Sequence, residues 1–153
     1  MSSRDAALVA LNTAPATDTV ALLRAASAAL NAGLAAQVEA RLAPLVSART
    51  PDPRLWQFLG LARRDLQDSA GAHLAFNRAA ALAPADPVIA HSQARTALEA
   101  GYPALTLFNR ARVLAPADGT VMLGRVAAML VQGEGAQARD QLDHLLAANP
   151  GWV

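Results

Sequence analysis

The segment from Pro53 to Asp86 reads PRLWQFLGLARRDLQDSAGAHLAFNRAAALAPAD. Seven of its residues, at helical spacing, define two helices in close contact: Trp56, Leu59, Gly60, Ala72, Phe76, Ala79 and Pro84. Gly60 and Ala72 are small enough to let the helices approach closely. Trp56 and Phe76 supply the large apolar volume around that contact. The segment therefore predicts two antiparallel helices that pack on each other.

The end of this segment recurs along the chain. Leu82-Ala83-Pro84 returns as Leu114-Ala115-Pro116 and, more loosely, as Ala148-Asn149-Pro150, so the prolines are 32 and 34 residues apart. Each proline ends a helix, because it lacks an N–H and its ring clashes with the preceding turn. A period near 34 residues is typical of a two-helix repeat.

The period divides the chain into four repeats, at approximately residues 19–52, 53–86, 87–118 and 119–150. Residues 1–18 are expected to form a leading helix and a connection, with Asp18 or Thr19 capping the next helix. The third repeat fits best if the turn between its helices is two residues short. Because three or more stacked pairs bury a continuous core, we predict one all-α domain, a right-handed α-solenoid of antiparallel helix pairs over residues 1–153.

The seven positions of the second repeat resemble those of the tetratricopeptide-repeat (TPR) family, in its alanine- and arginine-rich bacterial form. One position departs from the family pattern, since Arg63 stands where tyrosine is usual; Ala97 and Met129 occupy the same place in the later repeats. The resemblance implies a protein that binds other proteins or peptides and performs no chemistry. A fold alone does not fix a binding site.

In the TPR family, the first helix of each repeat lines a concave groove. Carried onto this chain, that resemblance selects eight residues of the second and third repeats: Arg54, Gln57, Leu61, Arg64, Val88, His91, Arg95 and Leu98. Such a groove would suit a peptide with an acidic group, because arginine holds a carboxylate with two hydrogen bonds and leucines accept apolar side chains. The alternative is that these arginines only keep an apolar array soluble.

Composition excludes several classes of function. The chain has 39 alanines, no lysine and no cysteine, and its net charge is +1. No lysine or cysteine chemistry is therefore possible, and the weak charge argues against nucleic acid as a partner. The apolar stretch Ala6–Leu11 is too short for an export signal, and no apolar run is long enough for a membrane span. We expect a cytoplasmic protein that does not bind membranes.

No constellation of catalytic or metal-binding residues is recognisable. His73, His91 and His144 fall in three different repeats, without the spacing of metal ligands. Asp140 and Asp143 lie among polar neighbours on a solvated helix face. We therefore expect no enzyme activity, no metal and no cofactor.

The end of the sequence leaves alternatives open. The last helix, Ala136 to Ala148, has a polar face that could close the array. Residues 150–153 continue as if a fifth repeat began, and Trp152 has no obvious packing partner. One alternative is therefore the N-terminal TPR portion of a larger bacterial enzyme, similar to sulfotransferase-like proteins. Self-association of the apolar ends, head to tail, is compatible with either reading.

Overall fold

The computed structural model describes residues 1–47 and 52–152, and of Ser47 it describes the backbone. Over these residues the chain is all α-helical, without strands. The helices are α1 (Ser3–Thr13), α2 (Thr19–Asn31), α3 (Ala35–Ser47), α4 (Pro53–Asp65), α5 (Ser69–Leu82), α6 (Pro87–Glu99), α7 (Leu105–Leu114), α8 (Gly119–Val131) and α9 (Gly135–Ala148), followed by a 3-10 turn (Pro150–Trp152).

Four helix pairs follow the leading helix α1, so the predicted all-α solenoid fold is confirmed. We call the first helix of each pair its A helix (α2, α4, α6, α8) and the second its B helix (α3, α5, α7, α9). The chain divides into two compact units, Met1–Ala83 and Pro84–Val153, called unit 1 and unit 2. The assignment of a single domain stays a prediction.

Aspartates begin most of the helices. The side chain of the N-cap residue accepts a backbone N–H of the first turn at Asp18, Asp52, Asp68, Asp86 and Asp118. Asp52 and Asp86 are each followed by a proline at the first helical position, where a missing N–H costs nothing. Asp18 is thus the cap of α2, one of the two residues proposed from the sequence.

The turns between A and B helices share one backbone geometry. The residue after the A-helix C-cap has a positive φ in all four repeats: Gly33 (73°), Gln67 (64°), Gly101 (79°) and Gly133 (83°). In each turn the next N–H donates to the carbonyl five residues back, at 2.9 Å. This is the Schellman ending of a helix, which favours glycine because a Cβ is strained at positive φ. Gln67 is the exception.

The turn of the third repeat differs from the expectation. The sequence predicts a turn two residues shorter than the others, but the turn is two residues longer. Tyr102 and Pro103 separate Gly101 from Ala104, the N-cap of α7, whereas Asp68 and Glu134 are N-caps directly after the positive-φ residue. The shorter period of this repeat comes from its B helix, since α7 has 10 residues and α5 has 14. Tyr102 precedes a proline and is therefore disfavoured in the helical conformation, so α7 cannot extend back through it.

The core of unit 1 is built on the close contact expected from the sequence. A Cβ placed on Gly60 would lie 2.7 Å from Cε2 of Phe76, so only glycine allows α4 to sit this close to α5. Phe76 is fully buried, whereas Trp56 is half-buried. A larger cluster joins α1 to α4: Ala7, Leu11, Leu22, Leu23, Ala26, Ala29, Leu34, Val38, Leu42, Leu55 and Ala62.

Unit 2 has the same kind of phenylalanine–glycine contact, but between helices of two different pairs. Phe108 of α7 packs over Gly124 of α8, where an added Cβ would overlap the ring. The surrounding cluster consists of Ala90, Ala94, Ala97, Ala104, Phe108, Ala111, Val121 and Ala128. The final pair has a smaller cluster, Val126, Met129 and Ala138.

The end of unit 2 corrects one expectation. Trp152 does have a packing partner: its ring covers Gly119, at the first position of α8, where a Cβ would overlap it. Pro53 and Pro87 occupy the corresponding position in the earlier repeats. In the last helix Ala138 is the one buried residue among those described, and its role as a cap of the array stays a prediction.

Candidate protein-interaction surface

The four predicted groove residues of unit 1 lie on α4 at spacings of three and four, which places them on one helix face. Arg54 is exposed, whereas Gln57, Leu61 and Arg64 are half-buried. All four therefore reach the surface of unit 1 to some extent.

Arg54 is already engaged within the chain. Its Nη2 lies 2.9 Å from Oδ2 of Asp52 and its Nε lies 3.1 Å from Oδ1, a two-point contact. These hydrogen bonds hold the pKa of Asp52 below its usual value. Because Asp52 is also the N-cap of α4, a partner carboxylate would have to displace a residue that the helix needs. Arg54 is consequently the weaker anchor of the predicted set.

The four predicted residues of unit 2 lie on one face of α6. Val88 is 60% exposed and Arg95 is also exposed, whereas His91 and Leu98 are half-buried. The His91 ring packs against Phe108, with centroids 6.3 Å apart and planes inclined at 58°. Nε of Arg95 donates to Oε1 of Glu99 at 3.2 Å, one turn along the same helix.

The neighbouring A helix extends this face with apolar side chains. Helices α6 and α8 contact each other, and α8 exposes Leu123, Leu130 (58%) and Val131 (73%). Leu98 of α6 and Val131 of α8 line one small cleft of 150 Å³. We call the residues Val88, His91, Arg95, Leu98, Leu123, Ala127, Leu130 and Val131 the A-helix face of unit 2.

The structure thus brings α6 and α8 together into one surface within unit 2. The predicted residues of α4 belong to unit 1, and their union with those of α6 in a single groove stays a prediction. The apolar part of the face lies mainly on α8, outside the eight residues selected from the sequence.

Four other arginines act inside the units. Nη2 of Arg41 donates to the Ala14 carbonyl at 2.7 Å and ties α3 to the end of α1. Nη2 of Arg110 donates to the Pro84 carbonyl at 2.7 Å. Arg63 and Arg125 are half-buried and each connects two B helices, as detailed below. Sequence reasoning missed these roles, although Arg63 in the place of the usual tyrosine was a signal.

A second exposed apolar region lies between α8 and α9. It is an open pocket of 830 Å³. Its walls combine apolar and charged residues: Val126, Leu130, Gly135, Ala136, Ala138, Arg139, Asp140, Leu142 and Asp143.

The described residues contain no group of three or more histidine or acidic side chains placed to hold a metal ion. Across the same part of the chain, none of the helices combines the length and the apolar character that crossing a membrane requires.

Comparison with known proteins identifies the fold and not a family. No family model matches the sequence, and no curated protein matches it. Among solved structures, a crystal structure of MamA superimposes with a TM-score of 0.79 over 94% of this chain and 85% of that chain, at 18% identity. A second MamA structure gives a TM-score of 0.66 over 95% and 91%, at 15% identity. The chain therefore has a TPR-type repeat fold, similar to that of MamA.

Proposed function

We propose that this chain is a non-catalytic interaction module that binds a peptide or protein along its A helices, with the A-helix face of unit 2 as the principal contact. A TPR-type fold supports protein binding in general. The observation that carries the choice of surface is the exposure of Val88 on α6 and of Leu130 and Val131 on α8, two helices that contact each other and share the cleft lined by Leu98 and Val131. Exposed apolar patches rimmed by polar residues mark interaction sites.

The charged part of this face favours a partner with an acidic group. Arg95 pairs with Glu99, one turn away, and both side chains are substantially exposed. Exposed pairs at this spacing contribute only about 0.3–0.5 kcal/mol, so a partner carboxylate can replace Glu99 at small cost. Arg95 is therefore a better anchor than Arg54, whose acid also caps a helix. The apolar side chains of α8 would supply most of the affinity.

The test compares two matched double variants of the full chain as bait in affinity capture. Arg95→Ala with Leu130→Asp alters the proposed face. Arg78→Ala with Leu74→Asp is the control, because both residues are exposed on α5 and Leu74 (55%) is as exposed as Leu130. Circular dichroism first establishes that both variants remain helical.

A partner retained by the parent and the control but lost by the A-helix-face variant supports the proposal. Equal retention by all three baits contradicts it. With the purified partner, calorimetry then tests the acidic group: Glu99→Gln removes the internal competitor and should tighten binding by about twofold, whereas Arg95→Ala should weaken it. An affinity unchanged in both variants would remove the acidic group from the proposal.

A second candidate is self-association through the ends, favoured by the open apolar pocket between α8 and α9. In this proposal Val9, exposed on α1 of one copy, enters the pocket that Leu142 lines in another. Light scattering on the parent should then show a mass that rises with concentration. Leu142→Asp and Val9→Asp should each return it to that of one chain; a parent that stays monomeric excludes this mode. The alternative of a larger sulfotransferase-like enzyme ranks below both, because no feature of the described residues favours it.

A further inference from the structure

Arg63 in unit 1 shows how an arginine can connect two B helices. It lies on the A helix α4. Its Nε donates to Oε1 of Glu39 on the preceding B helix, α3, at 3.1 Å, and its Nη1 donates to the Gly71 carbonyl of α5 at 3.3 Å. The guanidinium is half-buried, and the carboxylate of Glu39 neutralises its charge.

Arg125 makes the corresponding contacts in unit 2, although it is the seventh residue of its A helix and Arg63 is the eleventh. It lies on the A helix α8, its Nε donates to Oδ1 of Asn109 on the preceding B helix, α7, at 2.6 Å, and its Nη1 donates to Oε1 of Gln141 on α9 at 2.5 Å. Like Arg63, Arg125 links the preceding B helix to the B helix of its own pair, with one chemical difference. Both partners of Arg125 are neutral amides, so the positive charge of the guanidinium is not cancelled by either.

A second positive charge accompanies Arg125. Arg112 is exposed on α7, three residues after Asn109 and therefore on the same side of that helix. Neither arginine forms an ion pair with a carboxylate among the residues that the structure describes. Burial lowers the pKa of Arg125, and the charge of Arg112 lowers it further, while Glu134 acts in the opposite direction. Two guanidinium groups without a direct counter-ion form a positive site on the B-helix side of unit 2.

We propose that Arg125 and Arg112 bind an oxyanion, a carboxylate or phosphate group, that supplies the negative charge which Glu39 supplies to Arg63. Asn109 and Gln141 fix the Arg125 guanidinium through Nε and Nη1, which leaves Nη2 without a hydrogen bond to any described residue. Arginine presents its donors in a planar fork that matches the two oxygens of such an anion. Arg112, on its long exposed side chain, supplies the second set of donors. Arg125 reaches this site from α8 and lies between the B helices α7 and α9, and the site contains no residue of the A-helix face.

The experiment titrates the full chain with three probes at constant ionic strength, adjusted with sodium chloride. The probes are inorganic phosphate, acetate and a capped tetraglutamate peptide, and the readout is the NMR signals of the Asn109 and Gln141 side-chain amides. Asn109→Asp builds into unit 2 the carboxylate that unit 1 already has. Arg112→Ala removes the second cation and leaves the Arg125 contacts in place. Glu39→Gln makes the reciprocal change in unit 1.

In the parent, the Asn109 and Gln141 signals should shift and saturate with at least one probe. Asn109→Asp, followed through Gln141, and Arg112→Ala should each weaken binding by roughly tenfold. Glu39→Gln should create a second anion site near Arg63, seen as a saturable shift of the new side-chain amide signal at position 39. Saturation by phosphate alone identifies a free phosphate site, and saturation by tetraglutamate and acetate identifies a site for a partner carboxylate. No saturable shift in the parent, or an equal response in Asn109→Asp, would overturn the proposal.

Discussion

The two units share two kinds of contact, a phenylalanine over a glycine and an arginine between two B helices, and differ in the residues that complete each contact. In unit 1 the fully buried Phe76 contacts a glycine within its own pair, and Arg63 is neutralised by Glu39. In unit 2 Phe108 reaches the next pair, and Arg125 is held by amides. Unit 1 neutralises the arginine between its B helices, whereas unit 2 leaves Arg125 without a counter-ion among the described residues and exposes apolar side chains on two neighbouring A helices. This difference is our reason for placing both proposed sites in unit 2.

The largest expected effects come from the two phenylalanines. Phe76→Ala and Phe108→Ala each remove a fully buried ring and should each lower the free energy of unfolding by about 3–5 kcal/mol. Repeat proteins open locally, so hydrogen exchange should show the loss of protection first in residues 1–83 for Phe76→Ala and in 84–153 for Phe108→Ala. Uniform loss of protection in both variants would show that the units do not open separately.

The next effect tests the close contact inside unit 1. Gly60→Ala places a methyl group against the fully buried Phe76 ring and should destabilise the chain by about 1–3 kcal/mol, despite alanine's better helix propensity. Gly135→Ala is the matched control, because nothing lies within 4 Å of its added Cβ. Denaturant unfolding should show the loss for Gly60→Ala alone, and Phe76→Leu in the Gly60→Ala background should restore part of it. Equal midpoints for the two glycine variants would refute this account.

The third effect exchanges the arginine partners between the units. Glu39→Gln should destabilise the chain by about 1 kcal/mol, because it leaves Arg63 half-buried without its counter-ion. Asn109→Asp should stabilise the chain by a similar amount by giving Arg125 one. Thermal unfolding in low salt measures both changes, and added salt should shrink them. If both substitutions change the free energy of unfolding in the same direction, a neighbouring carboxylate does not affect Arg63 and Arg125 in the same way.

Sequence reasoning reached the helix pairs because their signals are local. The prolines and the close packing at Gly60 and Phe76 are encoded within about one period, so the sequence predicts them, whereas Asp18 is the one member of the Asp caps that it singled out. The partners of Arg63, Arg125 and Trp152 lie 8 to 33 positions away, also within one period, but they are reached by long side chains that extend to other helices. Side-chain reach across helices has no periodic signature, so these contacts required the structure. The groove residues were carried from a family resemblance, and their joint surface stays a prediction.

The smallest effect concerns the one turn that departs from the other three. Gln67 has a φ of 64°, where the other repeats have glycine, so Gln67→Gly should stabilise unit 1 by about 0.5–1 kcal/mol through relief of strain at positive φ. The gain is limited because glycine is also freer in the unfolded chain. Gly33→Ala, at the same position of the first pair, should cost about 1 kcal/mol, since space is open there and the strain is purely conformational. Chemical denaturation of both variants measures the two changes. If Gln67→Gly destabilises the chain, the Gln67 side chain makes a contact that outweighs its backbone strain, and the four turns are not interchangeable.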